Sequence, residues 1–365
     1  MCIKADNLSK ILLFGSLPPP YNGQAVAFSA LVDSFQPEEI LLVNITKFKS
    51  GIINTVYTIL CTLYYFAFYS FSTIYFTSSR SMPGFVKDCP LLLLGRWRKK
   101  RMVNHLHGAN FKSFYHQSGL LKPLIRYCYQ KVNTSIVLLE EMQHEYEDFP
   151  AMKVRVIGNC YEKLFDLQDE AGFQKKSQIV FLSGLMKSKG ILEFLDACEM
   201  ILPHNPTINI CIAGLPCNDD FMGKKAISAL FFRKYGILKK QYPDKIHYLG
   251  EIIGQEKVEL LYGSDIFVLP SWHPSEACPV SILEAMRAGN AIISTIHNFL
   301  PTIVKPENGI VVNPQSSHEI AQAIESLLHD RVRLKKIQEY NRDFARTAYN
   351  PEKYVEAVKS VILST

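Results

Sequence analysis

The stretch most informative about the fold is Pro270–Gly289, PSWHPSEACPVSILEAMRAG. It carries two glutamates, Glu276 and Glu284, with seven residues between them. Pro279 stands between the two, and proline suits the first position of a helix because its fixed φ is helical and its missing N–H is not needed there. The stretch therefore predicts a loop that holds Glu276, followed by a helix that carries Glu284 on its second turn.

The chemistry of this stretch suits a nucleotide sugar, which presents a sugar, a diphosphate and a ribose. Glu276 can accept hydrogen bonds from sugar hydroxyls, and Glu284 can hold ribose hydroxyls. The backbone N–H groups of Val280 and Ser281, at the predicted helix start, suit an anion. Two glutamates at this spacing also occur as solvated side chains. The pair alone therefore leaves a second interpretation, in which the strand, loop and helix bind no ligand.

The flanking residues extend the pattern, because IFVLPS precedes the glutamates and EAMRAGNAIIST follows from Glu284 onward. With these flanks the stretch resembles the E-x7-E signature of glycosyltransferase family 4, retaining transferases that include bacterial surface-polysaccharide enzymes. The resemblance implies the α/β fold called GT-B, with two Rossmann-like domains facing a cleft. It also implies that the C-terminal domain binds the nucleotide sugar and that the N-terminal domain holds most of the acceptor.

Apolar runs and helical patterns alternate along the whole chain, which is typical of parallel α/β sheets. Two such series predict an N-terminal acceptor domain over residues 1–165 and a donor domain over residues 166–349. Residues 350–365 are expected to form a helix that packs back on the first domain, as the resemblance implies. The polar stretch Tyr161–Ser177 is interpreted as the linker between the domains.

Composition excludes several classes of protein. Of 365 residues 48% are apolar, and the net charge of +6 comes without a long basic tract interleaved with aromatics, so no nucleic-acid partner is expected. Nine scattered cysteines predict reduced thiols in a cytoplasmic protein rather than disulfides or a zinc site. No D-x-D sequence stands in a suitable loop, and Asp219-Asp220 lacks a metal-binding context, so neither a metal nor a cofactor is expected.

One uncharged segment, Gly51–Ser79, raises the question of a membrane. It is interpreted as a helix near residues 52–69, partly buried and touching lipid, and then the strand STIYFTSS; a bilayer span is the alternative. The basic run Arg96–Arg101 contains Trp97 and predicts contact with an anionic membrane surface, with a solvated helix end as the alternative. Together they predict a peripheral protein on the inner face of the plasma membrane.

In the predicted N-terminal domain the resemblance implies two substrate contacts. The loop from Gly15 to Gly23 is similar to the loop that closes over the donor phosphate and sugar in the family. His107, which follows the fourth predicted strand, matches a histidine that contacts the sugar, although a lone histidine is more often structural. Asn159 matches an asparagine before the family's linker and is expected to shape the hinge.

In the predicted C-terminal domain, Ser183–Gly190 resembles the family's G-R-L-x-x-x-K-G. Lys189 matches the lysine that neutralises the diphosphate, whereas Gly184 stands where the family has an arginine. Gly250 ends a strand where the family packs backbone against the base, and Ile252 lies close by. Thr302 replaces a glutamate that is usual in the family, with no consequence that the sequence indicates.

The sequence thus predicts a retaining glycosyltransferase of the hexosyltransferase type, with Glu276, Lys189 and His107 as its catalytic residues. Its partners would be a nucleotide-diphosphate sugar and a lipid-linked glycan of O-antigen or capsule type. Because Gly184 lacks the family's cation, a non-catalytic partner of a polysaccharide assembly complex is the alternative. A glycosidase is a third possibility, disfavoured because a retaining pair must stand about 5–5.5 Å apart.

Overall fold

The computed structural model describes residues 10–167 and 172–364. The chain divides into two compact units. Unit 1 comprises the residues up to Asn159 and those from Pro351 onward, and unit 2 is Cys160–Asn350. The sequence interpretation placed the first boundary after Phe165 instead. Each unit contains one six-stranded sheet in which every neighbouring pair is parallel, as the alternating pattern predicted.

The sheet of unit 1 has the strand order β2-β1-β3-β4-β5-β6. Four of its strands, β1, β3, β4 and β5, are largely buried, as parallel strands covered on both faces are, whereas β2 and β6 at the two edges are partly exposed. The order reverses between β1 and β3, and the carboxyl ends of strands at such a switch point are where open α/β sheets bind ligands. The strands are β1 (Lys10–Gly15), β2 (Ile40–Asn44), β3 (Phe71–Thr77), β4 (Arg101–Leu106), β5 (Thr134–Val137) and β6 (Lys153–Val156).

Six helices accompany this sheet: α1 (Gly23–Val32), α2 (Gly51–Phe68), α3 (Met82–Trp97), α4 (Phe111–Gln117), α5 (Lys122–Tyr129) and α13 (Pro351–Leu363). The chain's last helix is tied to unit 1 by Arg101, whose guanidinium donates to the carbonyls of Val361 and Ile362 at 2.7 Å each. A cation at a helix C-terminus satisfies carbonyls that have no partner within the helix.

The sheet of unit 2 has the order β12-β11-β10-β7-β8-β9, so its switch point lies between β7 and β10. Its helices include one over Lys224–Gln241 that the sequence analysis did not predict and in which only Ile227, Phe231 and Leu238 are buried. The strands are β7 (Gln178–Leu182), β8 (Asn209–Ala213), β9 (Ile246–Gly250), β10 (Ile266–Val268), β11 (Ala291–Thr295) and β12 (Gly309–Val312). The helices are α6 (Ile191–Ile201), α7 (Lys224–Gln241), α8 (Gly254–Gly263), α9 (Val280–Arg287), α10 (Leu300–Ile303), α11 (Ser317–His329) and α12 (Arg331–Ala348).

The segment interpreted as a linker is packed against unit 2 over its first residues. Phe165 is fully buried, and its carbonyl accepts a hydrogen bond from the Tyr262 hydroxyl at 2.9 Å. Asp166 accepts one from the Arg287 Nε at 2.8 Å. The linker interpretation was therefore wrong for residues 161–167, because their contacts with Tyr262 and Arg287 are distant in sequence and leave no periodic pattern. Residues 168–171 of this stretch lie outside the described chain.

Candidate active site

The switch point of unit 2 brings together the loops that follow β7 and β10. The first loop ends in a short 3₁₀ turn, Lys187–Lys189, and in Gly190, whose φ is +78°. A Cβ on Gly190 would lie 2.4 Å from the Pro270 carbonyl oxygen, so glycine is required for the two loops to meet. The Lys189 Nζ consequently lies 2.6 Å from the Glu276 Oε2.

Glu276 is buried but ionised. The Ser271 hydroxyl donates to the same Oε2 at 2.6 Å. Burial opposes ionisation, but the Lys189 ammonium and these hydrogen bonds outweigh it and hold the pKa of Glu276 below its usual value. The second oxygen, Oε1, accepts no hydrogen bond from any residue that the structure describes. Glu276 therefore keeps one oxygen for a ligand.

The start of helix α9 presents two further open groups. Pro279 is the N-cap rather than the first helical residue, so the helix begins one position later than predicted. The backbone N–H groups of Val280 and Ser281 make no hydrogen bond within the described chain, since the first N–H groups of a helix have no intrahelical acceptor. Together with the helix dipole they suit an anion.

Glu284 lies on the second turn of α9, as predicted, and is bound by a lysine that the sequence analysis missed. Its Oε1 lies 2.8 Å from the Lys257 Nζ, which also lies 2.8 Å from Glu162. Burial raises the pKa of Glu284 to about 7, while Lys257 opposes the rise. No local signal could identify this triad, because Glu162 stands in the supposed linker and Lys257 on α8 has no motif around it.

Asp219 is a second missed contributor. The sequence analysis considered Asp219-Asp220 only as a metal-binding candidate and assigned Asp219 no other role. Its Oδ2 accepts the backbone N–H of Ser188 at 2.7 Å, and its Oδ1 accepts those of Phe221 and Met222. Asp219 therefore fixes the turn from which Lys189 extends.

The remaining residues predicted in unit 2 lie along the same carboxyl edge. Gly184 follows β7, and a Cβ there would make ordinary contacts of 3.5 Å with the Met186 Cε and 3.6 Å with the Cys217 Sγ. Gly250 ends β9 with φ +70° and has open space around its α-carbon. Ile252 is half-buried just beyond it. Thr302 is exposed on α10.

The residues predicted in unit 1 have clear structural roles as well. A Cβ on Gly15 would lie 2.8 Å from the Phe28 ring, so this glycine lets α1 pack against β1. Gly23 is the first residue of α1 rather than part of the loop, and the Asn22 side chain caps that helix by accepting from the Ala25 N–H at 2.9 Å.

His107 lies just beyond β4 and stacks on His105, with ring centroids 4.1 Å apart. Neither ring nitrogen of His107 makes a hydrogen bond of normal geometry. Burial, reinforced by the nearby Arg80 guanidinium, lowers the pKa of His107 to about 3, although the Asn159 side chain acts to raise it. The imidazole is therefore neutral. His105 is fully buried, and its Nδ1 lies 2.6 Å from the Tyr75 hydroxyl.

The described residues contain no group of three or more histidine, cysteine or acidic side chains that could hold a metal ion. The charges that face each other at the switch point of unit 2 are those of Lys189, Glu276, Lys257 and Glu284.

Comparison with known proteins fits this geometry. The family described as glycosyl transferases group 1 matches residues 163–344. A Campylobacter jejuni protein named N,N′-diacetylbacillosaminyl-diphospho-undecaprenol alpha-1,3-N-acetylgalactosaminyltransferase is 24% identical over 242 residues, which are 60% of this chain and 59% of that protein. The putative colanic acid biosynthesis glycosyltransferase WcaL of Escherichia coli is 24% identical over 154 residues, 40% of this chain and 35% of its own length.

Among solved structures, Anabaena HepE in complex with UDP superposes with a TM-score of 0.74 at 14% identity, covering 98% of this chain and all of that one. The fold is therefore GT-B, in agreement with the α/β class predicted. The match to the glycosyl transferases group 1 family covers 182 of the 365 residues and comprises most of unit 2. The chain spans 59% and 35% of the lengths of the two relatives named above.

Proposed function

We propose that this protein is a retaining glycosyltransferase that moves a hexose from a nucleoside-diphosphate sugar to a lipid-linked glycan of the O-antigen or capsule type. The observation that carries the proposal is the pair of Lys189 and Glu276 at the switch point of unit 2. It keeps a buried carboxylate ionised, with one oxygen open, beside a lysine and the E-x7-E helix. A site with this set of groups matches the sugar and diphosphate of such a donor.

In the proposed reaction the bond between the sugar's anomeric carbon and the diphosphate oxygen breaks. The acceptor hydroxyl forms the new bond on the same face, and its proton passes to the departing diphosphate. Glu276 orients sugar hydroxyls and stabilises the positive charge that develops on the ring. Lys189 and the N–H groups of Val280 and Ser281 stabilise the diphosphate without a metal or other cofactor.

Glu284 is assigned to the ribose and His107 to the sugar. Lys257 favours the ionised form of Glu284, which accepts hydrogen bonds from two vicinal hydroxyls better than a neutral acid does. His107 is neutral and can donate from one ring nitrogen while accepting at the other. Gly184, Gly250 and Ile252 are proposed to line the donor site, and Gly15 and Gly23 to flank the loop that closes over it.

The names of the relatives support the class of acceptor. The Campylobacter relative is named for an undecaprenol diphosphate acceptor, and WcaL for the biosynthesis of colanic acid. These names motivate the proposal of a lipid-linked glycan in surface polysaccharide assembly.

Helix α2 supports a position at the membrane. By length and composition it could cross a bilayer, yet only Thr58, Thr62 and Phe66 are buried. It joins β2 to β3, which both pair in parallel with β1, so its two ends belong to one sheet and it cannot span. Seven large apolar side chains on it are between 47% and 80% exposed: Ile52, Ile53, Val56, Leu60, Leu63, Tyr64 and Phe68. We propose that this face lies on the inner leaflet of the plasma membrane.

The basic run contributes only some of its residues to that surface. Arg101 binds the end of α13, and Arg96 donates to the Tyr127 carbonyl at 2.9 Å. Trp97 is 71% exposed, with Arg98 stacked on its ring, and Lys99 is exposed beside it. The proposed contact with anionic lipid therefore narrows to residues 97–99.

Vesicle sedimentation tests the membrane position. Leu60→Asp should weaken binding to vesicles that contain phosphatidylglycerol about tenfold, because a charge enters the apolar face. Val332→Asp, at a position 83% exposed on α12, should leave binding unchanged. Equal binding by wild type and Leu60→Asp would contradict the proposal.

Nucleotide binding and transfer test the reaction. We expect one of UDP, GDP, ADP, TDP and CMP to raise the melting temperature without Mg²⁺. Glu276→Gln should keep the fold but lose at least about 100-fold in transfer. Full activity in that variant would overturn the proposed role of Glu276. If no nucleotide binds, the non-catalytic partner suggested by Gly184 becomes the better interpretation.

A further inference from the structure

The switch point of unit 1 contains an arginine without a carboxylate partner. Arg80 lies in the loop between β3 and α3, beside the point where the strand order reverses. Its Nη1 donates to the Asn110 Oδ1 at 2.8 Å, which is the one hydrogen bond it makes within residues 10–167 and 172–364. No carboxylate of the described chain stands within ion-pair distance of its guanidinium. A guanidinium has five N–H donors, so most of its donors are unused.

The acidic side chains beside this loop accept hydrogen bonds from backbone N–H groups instead. Glu145 is buried, and its Oε2 accepts the backbone N–H of Lys112 at 2.7 Å. Asp88 is also buried, and its Oδ2 accepts the N–H of Ser79 at 3.0 Å. The guanidinium itself is partly buried, and burial lowers its pKa, although Tyr146 and the Glu145 carboxylate, which lies beyond ion-pair distance, act in the opposite direction. A partly desolvated cation without a carboxylate in direct contact favours an anion supplied from outside.

The surroundings hold this side chain in position. A Cβ on Gly108 would lie 1.6 Å from the Arg80 Nη1, so the guanidinium rests directly on the glycine backbone. His107, next in the chain, is neutral and carries unbonded ring nitrogens. Asn110 fixes one edge of the fork. A planar fork held in this way can bind two oxygens of a phosphate at once.

We propose that Arg80, positioned by Asn110 and Gly108, binds the diphosphate group of the acceptor. The identity of the ligand rests on the proposed function, because a lipid-linked glycan carries a diphosphate between sugar and lipid. The donor also carries a diphosphate, so the experiment must separate these two sources of the same chemistry.

Two variants remove the site in different ways. Arg80→Gln deletes the charge. Asn110→Asp places a carboxylate 2.8 Å from the guanidinium and neutralises it without emptying the space, so this variant should fold at least as well as the wild type. Arg155→Gln is the matched control, because it removes the same charge from an exposed position on β6.

The first measurement does not depend on transfer. Inorganic pyrophosphate is titrated calorimetrically into the full chain that carries Lys189→Gln, which weakens the site of unit 2. Adding Arg80→Gln or Asn110→Asp should raise the remaining Kd about tenfold, as expected for one charge-assisted, two-point contact. Arg155→Gln should not change it. Unchanged binding in both site variants would overturn the proposal.

The second measurement identifies the source of the diphosphate. Arg80→Gln should raise the KM for a water-soluble diphosphate-linked acceptor about tenfold. The KM for the same sugar without phosphate, and the KM for the donor, should stay within about twofold. A rise in the donor KM with both acceptors alike would assign Arg80 to the donor and overturn the proposal. If the wild type transfers no sugar, the proposed function fails, and the pyrophosphate titration still decides whether Arg80 binds a diphosphate.

Discussion

The two switch points of this chain are built with opposite charge arrangements. In unit 2 each buried acid of the site faces a lysine: Glu276 pairs with Lys189 and Glu284 with Lys257. In unit 1 Arg80 has no carboxylate within ion-pair distance, and His105 in β4 and His107 just after it are neutral. In unit 2 the lysines therefore neutralise the carboxylates before any ligand binds. In unit 1 the positive charge of Arg80 remains for a ligand to neutralise. The difference suggests that unit 2 must keep the Glu276 carboxylate ionised for chemistry, while unit 1 needs to hold an anion.

The largest expected effect comes from breaking the balance of unit 2. Lys189→Met should lower transfer at least about 100-fold and destabilise the fold by about 3 kcal/mol, because it leaves the Glu276 carboxylate buried without its cation. Lys189→Met with Glu276→Gln should recover most of the stability and none of the transfer. Urea unfolding measures the change in stability, and initial rates measure the change in transfer. If Lys189→Met were as stable as the wild type, the Lys189 charge would not be needed to balance that of Glu276.

A cation added to unit 2 tests whether its site can bind an anion more tightly. Gly184→Arg restores the family's cation at a position where a Cβ makes only ordinary contacts. We expect the affinity for the preferred nucleoside diphosphate to rise about tenfold, since one more charge-assisted hydrogen bond becomes available. Calorimetric titration measures it, with Gly184→Ala as the control that should change nothing. A fall in affinity for Gly184→Arg alone would show that another group already fills this role.

The pH dependence of stability tests the balance at Glu284. Its pKa is raised from 4.5 to about 7, so the folded chain holds this proton more tightly than the unfolded chain. The wild type should therefore lose free energy of unfolding relative to Glu284→Gln as the pH rises from 5 to 8, by at most about 1.4 kcal/mol per pH unit. The exposed Glu356→Gln variant is the control. If the stability of the wild type and of Glu284→Gln changed with pH in the same way, Lys257 would cancel the effect of burial on the pKa of Glu284.

The smallest expected effect concerns the position of Arg80. Gly108→Ala pushes the end of a flexible side chain aside, so the free energy of unfolding should change by less than about 1 kcal/mol. Pyrophosphate affinity in the Lys189→Gln background should fall about threefold, because the fork no longer rests where Asn110 fixes it. Gly51→Ala, where a Cβ meets nothing within 4 Å, should leave affinity unaltered. Equal affinities for both variants would mean that the exact placement of Arg80 is unimportant.

The sequence predicted features that depend on local pattern. Apolar runs such as Ile11–Gly15 became buried parallel strands, and Pro279 marked the start of the helix that carries Glu284. It did not predict features that depend on partners distant in the chain. Lys257 reaches Glu284 across 27 positions and Asp219 reaches Ser188 across 31, and neither leaves a trace in spacing or periodicity.

The same limit explains the two misinterpreted segments. The residues from Tyr161 to Leu167 looked like a linker because their burial depends on Tyr262 and Arg287, about a hundred positions away. The basic run Arg96–Arg101 looked uniform, although Arg101 is bound by the last helix and Trp97 is exposed. Composition gives the charge of such a segment but not the direction of each side chain.

Helix α2 connects two strands of one sheet, and its 18 residues extend about 27 Å along it. If this helix lies flat on the bilayer, unit 1 stays at the lipid surface. Enzyme and acceptor would then find each other by diffusion in two dimensions. The rate of transfer would follow the number of acceptor molecules per unit area of membrane, and diluting the vesicles at constant composition would leave it almost unchanged.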